Sequence, residues 1–299
     1  MKALLTTTIL TLFLALNIAV GQDYAFRVLA NKGTNSVKKN GTWEPLKTGS
    51  SIQETDAIKL GEGSYLGLLH SSGRTLELKE SGEFKVSDLL SKVSTGSSSV
   101  ASKYANYVMN KMTSQEGSGH RMSVTGAVER ATDNSSLKVF IPESVDLYNS
   151  DAVITWENIE GEPEYTVTLK NMFDEVILEK KTSEPSIKLN FDDPKIKDEI
   201  LVIFNVKLTD DESVTSDEYG IKRLSKDESQ EIDNILKELK AEVGDDSSLD
   251  KLIYASFYED NDLLIDALTN YIGAMEMSPD VPDFEDAYNQ FIMRNGLGN

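Results

Sequence analysis

Cysteine is absent from all 299 residues, which removes disulfides, thiol nucleophiles and thiolate metal sites together. Histidine occurs only at positions 70 and 120, in separate segments, with no second metal ligand at a known spacing beside either. Two isolated histidines do not compose a Ser-His-Asp set. Cations are scarce as well: 30 Lys and Arg stand against 50 Asp and Glu, a net charge of −20. Such a surface repels nucleic acid and anionic head groups and favours solubility or a basic partner. No phosphate loop, dinucleotide fingerprint or nucleophile elbow occurs. Carboxylates are so numerous that pairs can be drawn almost anywhere, so none singles out a hydrolase. The chain therefore reads as non-enzymatic, with no cofactor and no metal. "YEDNDLL" at 258–264 lacks the Gly and distal Glu of a calcium loop. Asp192-Asp193 and Asp210-Asp211-Glu212 are at most weak calcium chelators between strands.

What is present begins with one long apolar run. "MKALLTTTILTLFLALNIAVGQDY" has Lys2, an apolar stretch over 3–20, and small residues at Ala19 and Gly21. This is a signal-peptide pattern with cleavage expected after Gly21. The alternative is a membrane anchor, since the run just reaches spanning length; no basic cluster follows it. No second run of that length occurs, so the remaining 278 residues are expected to be soluble and free of stable membrane insertion. A cysteine-free exported chain fits a bacterial periplasm. Its length suits two or three domains with hydrophobic cores of their own. Charge divides unevenly: residues 23–90 carry nine bases and nine acids, while 141–224 carry nine and 20, and 225–299 five and 18.

Residues 22–90 read as all β, with short alternating runs punctuated by Gly61, Gly63, Gly73 and Gly82. In "YLGLLHSSGRTLEL", Tyr65, Gly67 and Leu69 share one face and Leu66, Leu68 and His70 the other, before a Ser-Ser-Gly turn. "VLANKGTNSV" followed by "PLKTGSSIQETDAIKLGEGSYLGLLHSSGRTLELKESGEFKV" resembles the FecR-type periplasmic domain, through Gly33, Leu46, Gly49, Ile58, Ser64, Leu68, Gly73, Leu76 and Phe84. The resemblance implies a β-roll. Members that signal in iron-citrate uptake carry a membrane helix and a cytoplasmic arm ahead of this domain; a cleavable leader in their place leaves envelope signalling a remote alternative.

Residues 91–136 read as a linker holding an amphipathic helix at about 99–113, with Val100, Tyr104, Tyr107, Val108 and Met112 at helical spacing. From 137 to 224 alternating strands recur every 10 to 15 residues, as in a sandwich. Trp156 and Tyr165 are spaced as in fibronectin III and immunoglobulin-like domains, which they resemble; that likeness implies a core Trp, with ligand stacking as the alternative. Residues 225–299 turn helical. Ala255, Tyr258, Ala267, Tyr271, Ala274 and Pro279 follow intervals that resemble a tetratricopeptide hairpin.

The expected architecture is thus multidomain and mainly β with a C-terminal α-helical part: FecR-like roll, Ig-like sandwich, TPR-like helices. Gln22 and this domain order resemble envelope proteins of the Bacteroidota. The leading functional expectation is a periplasmic interaction or scaffold protein, an adaptor or accessory subunit engaging an envelope or outer-membrane protein. Tyr254, Tyr258 and Tyr271 are its candidate protein contacts. The alternative is a glycan- or peptidoglycan-binding protein, with Trp43 and Tyr65 as candidate ligand contacts.

Overall fold

The computed structural model describes residues 24–93, 99–113, 136–161 and 163–297. The expected leader, His120 and much of the expected linker lie outside them. The fold is mixed, with many antiparallel strands and a helical part.

The first eight strands build two four-stranded sheets. One has the order β4 (Ser51–Ile52), β1 (Phe26–Lys32), β6 (Tyr65–His70), β7 (Thr75–Leu78). The other runs β3 (Thr42–Pro45), β2 (Asn35–Lys39), β5 (Ala57–Leu60), β8 (Gly82–Lys85). Phe26, Val28, Val37, Ile52, Ile58, Leu60, Leu66 and Leu68 fill the space between them. Helix α1 (Val86–Leu90) adds Val86 and Leu89 to that core.

The strand β6 is buried on both faces. Leu66 and Leu68 point into the core of this first module, whereas Tyr65 and Leu69 belong to a second, larger core shared with helices. A bulge in β1 between Val28 and Ala30 helps: Val28 stays inside while Leu29 and Ala30 join the helical side. Gly67 makes the close approach possible. A Cβ there would sit 3.0 Å from a Leu249 methyl on helix α4 (Ser248–Asp260).

The second β module has a five-stranded sheet in the order β12 (Val176–Thr182), β11 (Tyr165–Lys170), β14 (Leu201–Leu208), β15 (Tyr219–Arg223), β9 (Ser144–Leu147). A two-stranded sheet, β10 (Asp151–Thr155) with β13 (Ser186–Asn190), packs against it. Alternation explains the pairing: in β14, Val202, Phe204 and Val206 are buried and their neighbours partly open. Trp156 is buried at their centre, its ring 5.4 Å from that of Tyr165 in edge-to-face contact.

The helices wedge between the two β modules. α2 (Ser99–Thr113) buries Ala101, Tyr104, Ala105, Val108 and Met109, and Tyr104 meets Phe257 edge-to-face. Tyr104 and Val108 are buried as spacing expects and Val100 and Met112 pack against the same core; Ala101, Ala105 and Met109 are buried as well, in place of Tyr107. α3 (Lys226–Glu242) begins on a capping box in which Ser225 and Glu228 each hold the other's backbone N–H. Ser247 caps α4, and Pro282 sits in the first turn of α6 (Pro282–Arg294). α5 (Leu264–Met277) lies antiparallel to α4 and runs along the edge of β10. One buried core consequently runs from Leu29 and Tyr65 through Phe257 and Phe284 to Trp156 and Phe204. The modules inferred from sequence do not stand apart as beads.

Candidate functional site: an exposed apolar tip on a fused body

The joints between the modules are polar as well as apolar, and they consume many of the residues that sequence patterning singles out. Asp266 on α5 is fully buried and accepts hydrogen bonds from the backbone N–H of Tyr148 (2.9 Å) and Asn149 (2.8 Å) and from the Asn149 amide (2.7 Å). Burial pushes its carboxyl up to about 6, against the downward pull of those three donors. Thr269 Oγ1 accepts from Val153 N–H at 2.9 Å, covering an otherwise open position on β10.

On the other side, Asp283 accepts from Asn31 N–H and Thr48 Oγ1, and Asp250 from Thr75 Oγ1. Glu77 accepts from Leu249 N–H at the start of α4. Burial raises the carboxyls of both Asp250 and Asp283. The Tyr65 hydroxyl is buried among the charges of Glu77, Asp283 and Asp250, and burial first, then Glu77, drives its ionisation upward. The carboxylates of Asp250, Asp283 and Glu77 are thus engaged in hydrogen bonds that join the helices to the first module.

Tyr254, Tyr258 and Tyr271 are 4, 3 and 4% exposed, so they offer no surface to a partner. The Tyr254 hydroxyl donates to Val243 O, and that of Tyr271 to Glu259, which also takes a two-pronged contact from Arg294 (3.1 and 3.0 Å). An amphipathic ring whose hydroxyl finds a buried acceptor packs as well inside as at an interface. Tyr65 is 5% exposed and stacks edge-to-face on Phe284, which removes it as a ligand contact. Trp156 is likewise enclosed. Trp43 alone of the candidate residues reaches solvent: it is half-buried on β3, with Lys38 Nζ 5.6 Å from its ring centroid.

Among the described residues no three His, Asp or Glu side chains gather in a way that suits a metal ion. Asp192 faces Arg223, and Asp193 and Asp211 accept from backbone N–H groups two residues ahead. His70 bonds Ser72 Oγ through Nδ1 (2.7 Å) and packs on Phe26; burial, then the charge of Arg74, holds its imidazole below its usual range. It belongs to the β6–β7 turn, where Gly73 at φ +92° lies against the α2 backbone.

The surface that is spent on nothing internal lies at one end of the second module. Met172, Phe173, Val176 and Ile200 are 65, 75, 58 and 72% exposed, four of the six large hydrophobics left open among the described residues. They lie at the same end of the sheet: Met172 and Phe173 are in the turn from β11 to β12, Val176 opens β12 opposite Lys170, and Ile200 immediately precedes β14, whose Ile203 pairs with Lys170 on the other side.

The turn that presents them is firmly built. The nearly buried Asn171 side chain accepts from Phe173 N–H (3.0 Å) and Glu175 N–H (3.1 Å), and its amide donates to Glu175. Asp174 adopts φ 65° and ties back to Lys170, which also reaches Glu218. The result is an ordered end of the sheet at which four large apolar side chains are exposed beside charged residues, Lys170, Asp174, Glu175 and Glu218, a composition that suits a protein contact. Sequence reading passed over it, although one signal was there: two large apolar residues, Met172-Phe173, stand where a turn between strands calls for polar ones.

Compared with models of known protein families and with curated proteins, the chain matches none. No helix among the described residues is long and apolar enough to cross a membrane.

Proposed function

We propose that this chain is a non-catalytic interaction or scaffold protein of the bacterial envelope, exported to the periplasm, where it serves as an adaptor or accessory subunit. On this reading its first module is FecR-like, its second Ig-like and its helices TPR-like. The observation that carries the proposal is the apolar tip formed by Met172, Phe173, Val176 and Ile200. A chain that spends its tyrosines, its small helix residues and both faces of β6 on internal packing leaves these four exposed on a hydrogen-bonded turn. Supporting it, the continuous core fixes the tip relative to the rest of the body, so docking loses little orientational freedom.

The test is in-cell crosslinking and pull-down from the envelope fraction, with wild type beside a Met172→Asp/Phe173→Asp variant. The proposal expects one envelope protein captured in stoichiometric amount by the wild type and lost by the variant, with an unchanged melting temperature. Capture that is indifferent to the two substitutions would overturn the tip as the docking surface.

A further inference from the structure

Trp43 and its surroundings form a second unspent surface, on the opposite β module and of different chemistry. The strand order β3-β2-β5-β8 is not sequential, so its outward face has to be read from the pairing. Trp43 lies opposite Lys38, Lys38 opposite Ala57, and Ala57 opposite Lys85. Directly paired residues share a face, so these four make one row across the sheet. At 4.7–4.9 Å per strand the row spans about 14 Å. The next row on the same face is Pro45, Ser36, Lys59 and Glu83. Lys38, Lys59 and Lys85 are exposed, and among the described residues none has a carboxylate within ion-pair distance. In a chain of net charge −20 that is an uncommon concentration of unneutralised cations.

Beside these rows opens a polar cleft of about 520 Å³, lined by Tyr24, Lys38, Lys39, Asn40, Ser51, Gln53, Thr55 and Asp56 among others. We propose that this face and cleft bind an acidic glycan, a polysaccharide bearing carboxylates on its sugar rings. The apolar C–H face of a sugar lies on an electron-rich indole, and Lys38, 5.6 Å from that ring, meets a carboxylate of the same sugar. Ala57 leaves the middle of the row low, and Lys85 receives the next acidic group along it. The hydroxyls and amides of the cleft suit the ligand's hydroxyls. An acidic polypeptide fits the charge but not the rest: one aromatic among lysines lacks the clustered apolar anchors of a protein interface.

Affinity electrophoresis of the purified chain tests this, in gels cast with polygalacturonate, with neutral dextran, or with poly-L-glutamate. Retardation by polygalacturonate and not by dextran is expected, falling at least about fivefold in Trp43→Ala and in Lys38→Gln/Lys85→Gln and largely kept in Trp43→Phe. The lysine pair keeps the test decisive if Trp43→Ala folds poorly. Equal retardation by poly-L-glutamate with Trp43→Ala indistinguishable from wild type would assign the face to acidic polypeptides and overturn the proposal. So would the absence of retardation by polygalacturonate.

Discussion

Replacing Asp266 by Asn removes a buried charge and keeps one of two acceptor oxygens: Oδ2 takes Tyr148 N–H and Oδ1 takes Asn149 N–H. One donor therefore loses its acceptor at every pH, while the pH-dependent part of the difference reports the charge alone. In the folded chain the Asp266 carboxyl titrates at about 6 instead of 3.8, because burial penalises the anion more than its three donors stabilise it. A raised carboxyl means the folded state holds the proton more tightly than the unfolded one. Between pH 4 and 6 stability therefore falls as pH rises, and the cost is fully present above about 6. A displacement from 3.8 to about 6 corresponds to about 3 kcal/mol. Asp250 and Asp283 act in the same direction, so the difference between variant and wild type isolates the one group. Urea unfolding followed by tryptophan fluorescence, to which the buried Trp156 contributes, reads that difference at pH 4.5 and pH 7. Asp266→Asn is expected to gain about 2 kcal/mol on wild type between the two values, since about 1 kcal/mol of the cost is already present at pH 4.5. A difference that does not change with pH would refute the assignment of a costly buried anion at this joint. Asp266→Ala, in contrast, strands two buried N–H groups and should lose about 2–4 kcal/mol at both pH values.

Gly67→Val should push Leu249 off β6 and cost about 1–3 kcal/mol, with faster amide exchange in α4 than in β14. Glu259→Gln removes the charge opposite the mostly buried Arg294 and leaves one acceptor oxygen for Tyr271 and Arg294 to share; a loss of about 3 kcal/mol in chemical unfolding is expected. Met172→Asp/Phe173→Asp should leave stability within about 0.5 kcal/mol, because both side chains already face water. A larger loss would show that the tip packs on something internal.

Alternation and turn residues made most strands legible, and the spacing of Trp156 and Tyr165 pointed to the ring pair that the core contains. Other features depended on facts no local pattern carries. A strand such as "YLGLLH" is apolar on both faces, and its sequence does not say that one face belongs to its own module and the other to helices 180 residues away. Tyr254, Tyr258 and Tyr271 look equally suited to a groove until buried acceptors, Val243 O and Glu259, are found for two of their hydroxyls. Helix spacing favoured Tyr107 for the packed face of α2, but Ala101 and Ala105 let the helix come close and displaced it. The row of Trp43, Lys38, Ala57 and Lys85 exists only through strand order, since β3 precedes β5 yet lies two strands from it.

The fused core also sets a timetable. Asn31 is held by a carboxylate 252 residues further on, and Glu77 by a backbone N–H 172 residues further on. At ordinary synthesis rates of about 5–20 residues per second, the outer face of β6 waits roughly ten seconds or more for its helices. Throughout that interval Tyr65 and Leu69 have nothing to cover them, and the chain cannot close into its final body. If the chain is exported as proposed, such lateness keeps it open for threading across a membrane: the segments that lock the structure are the last to arrive.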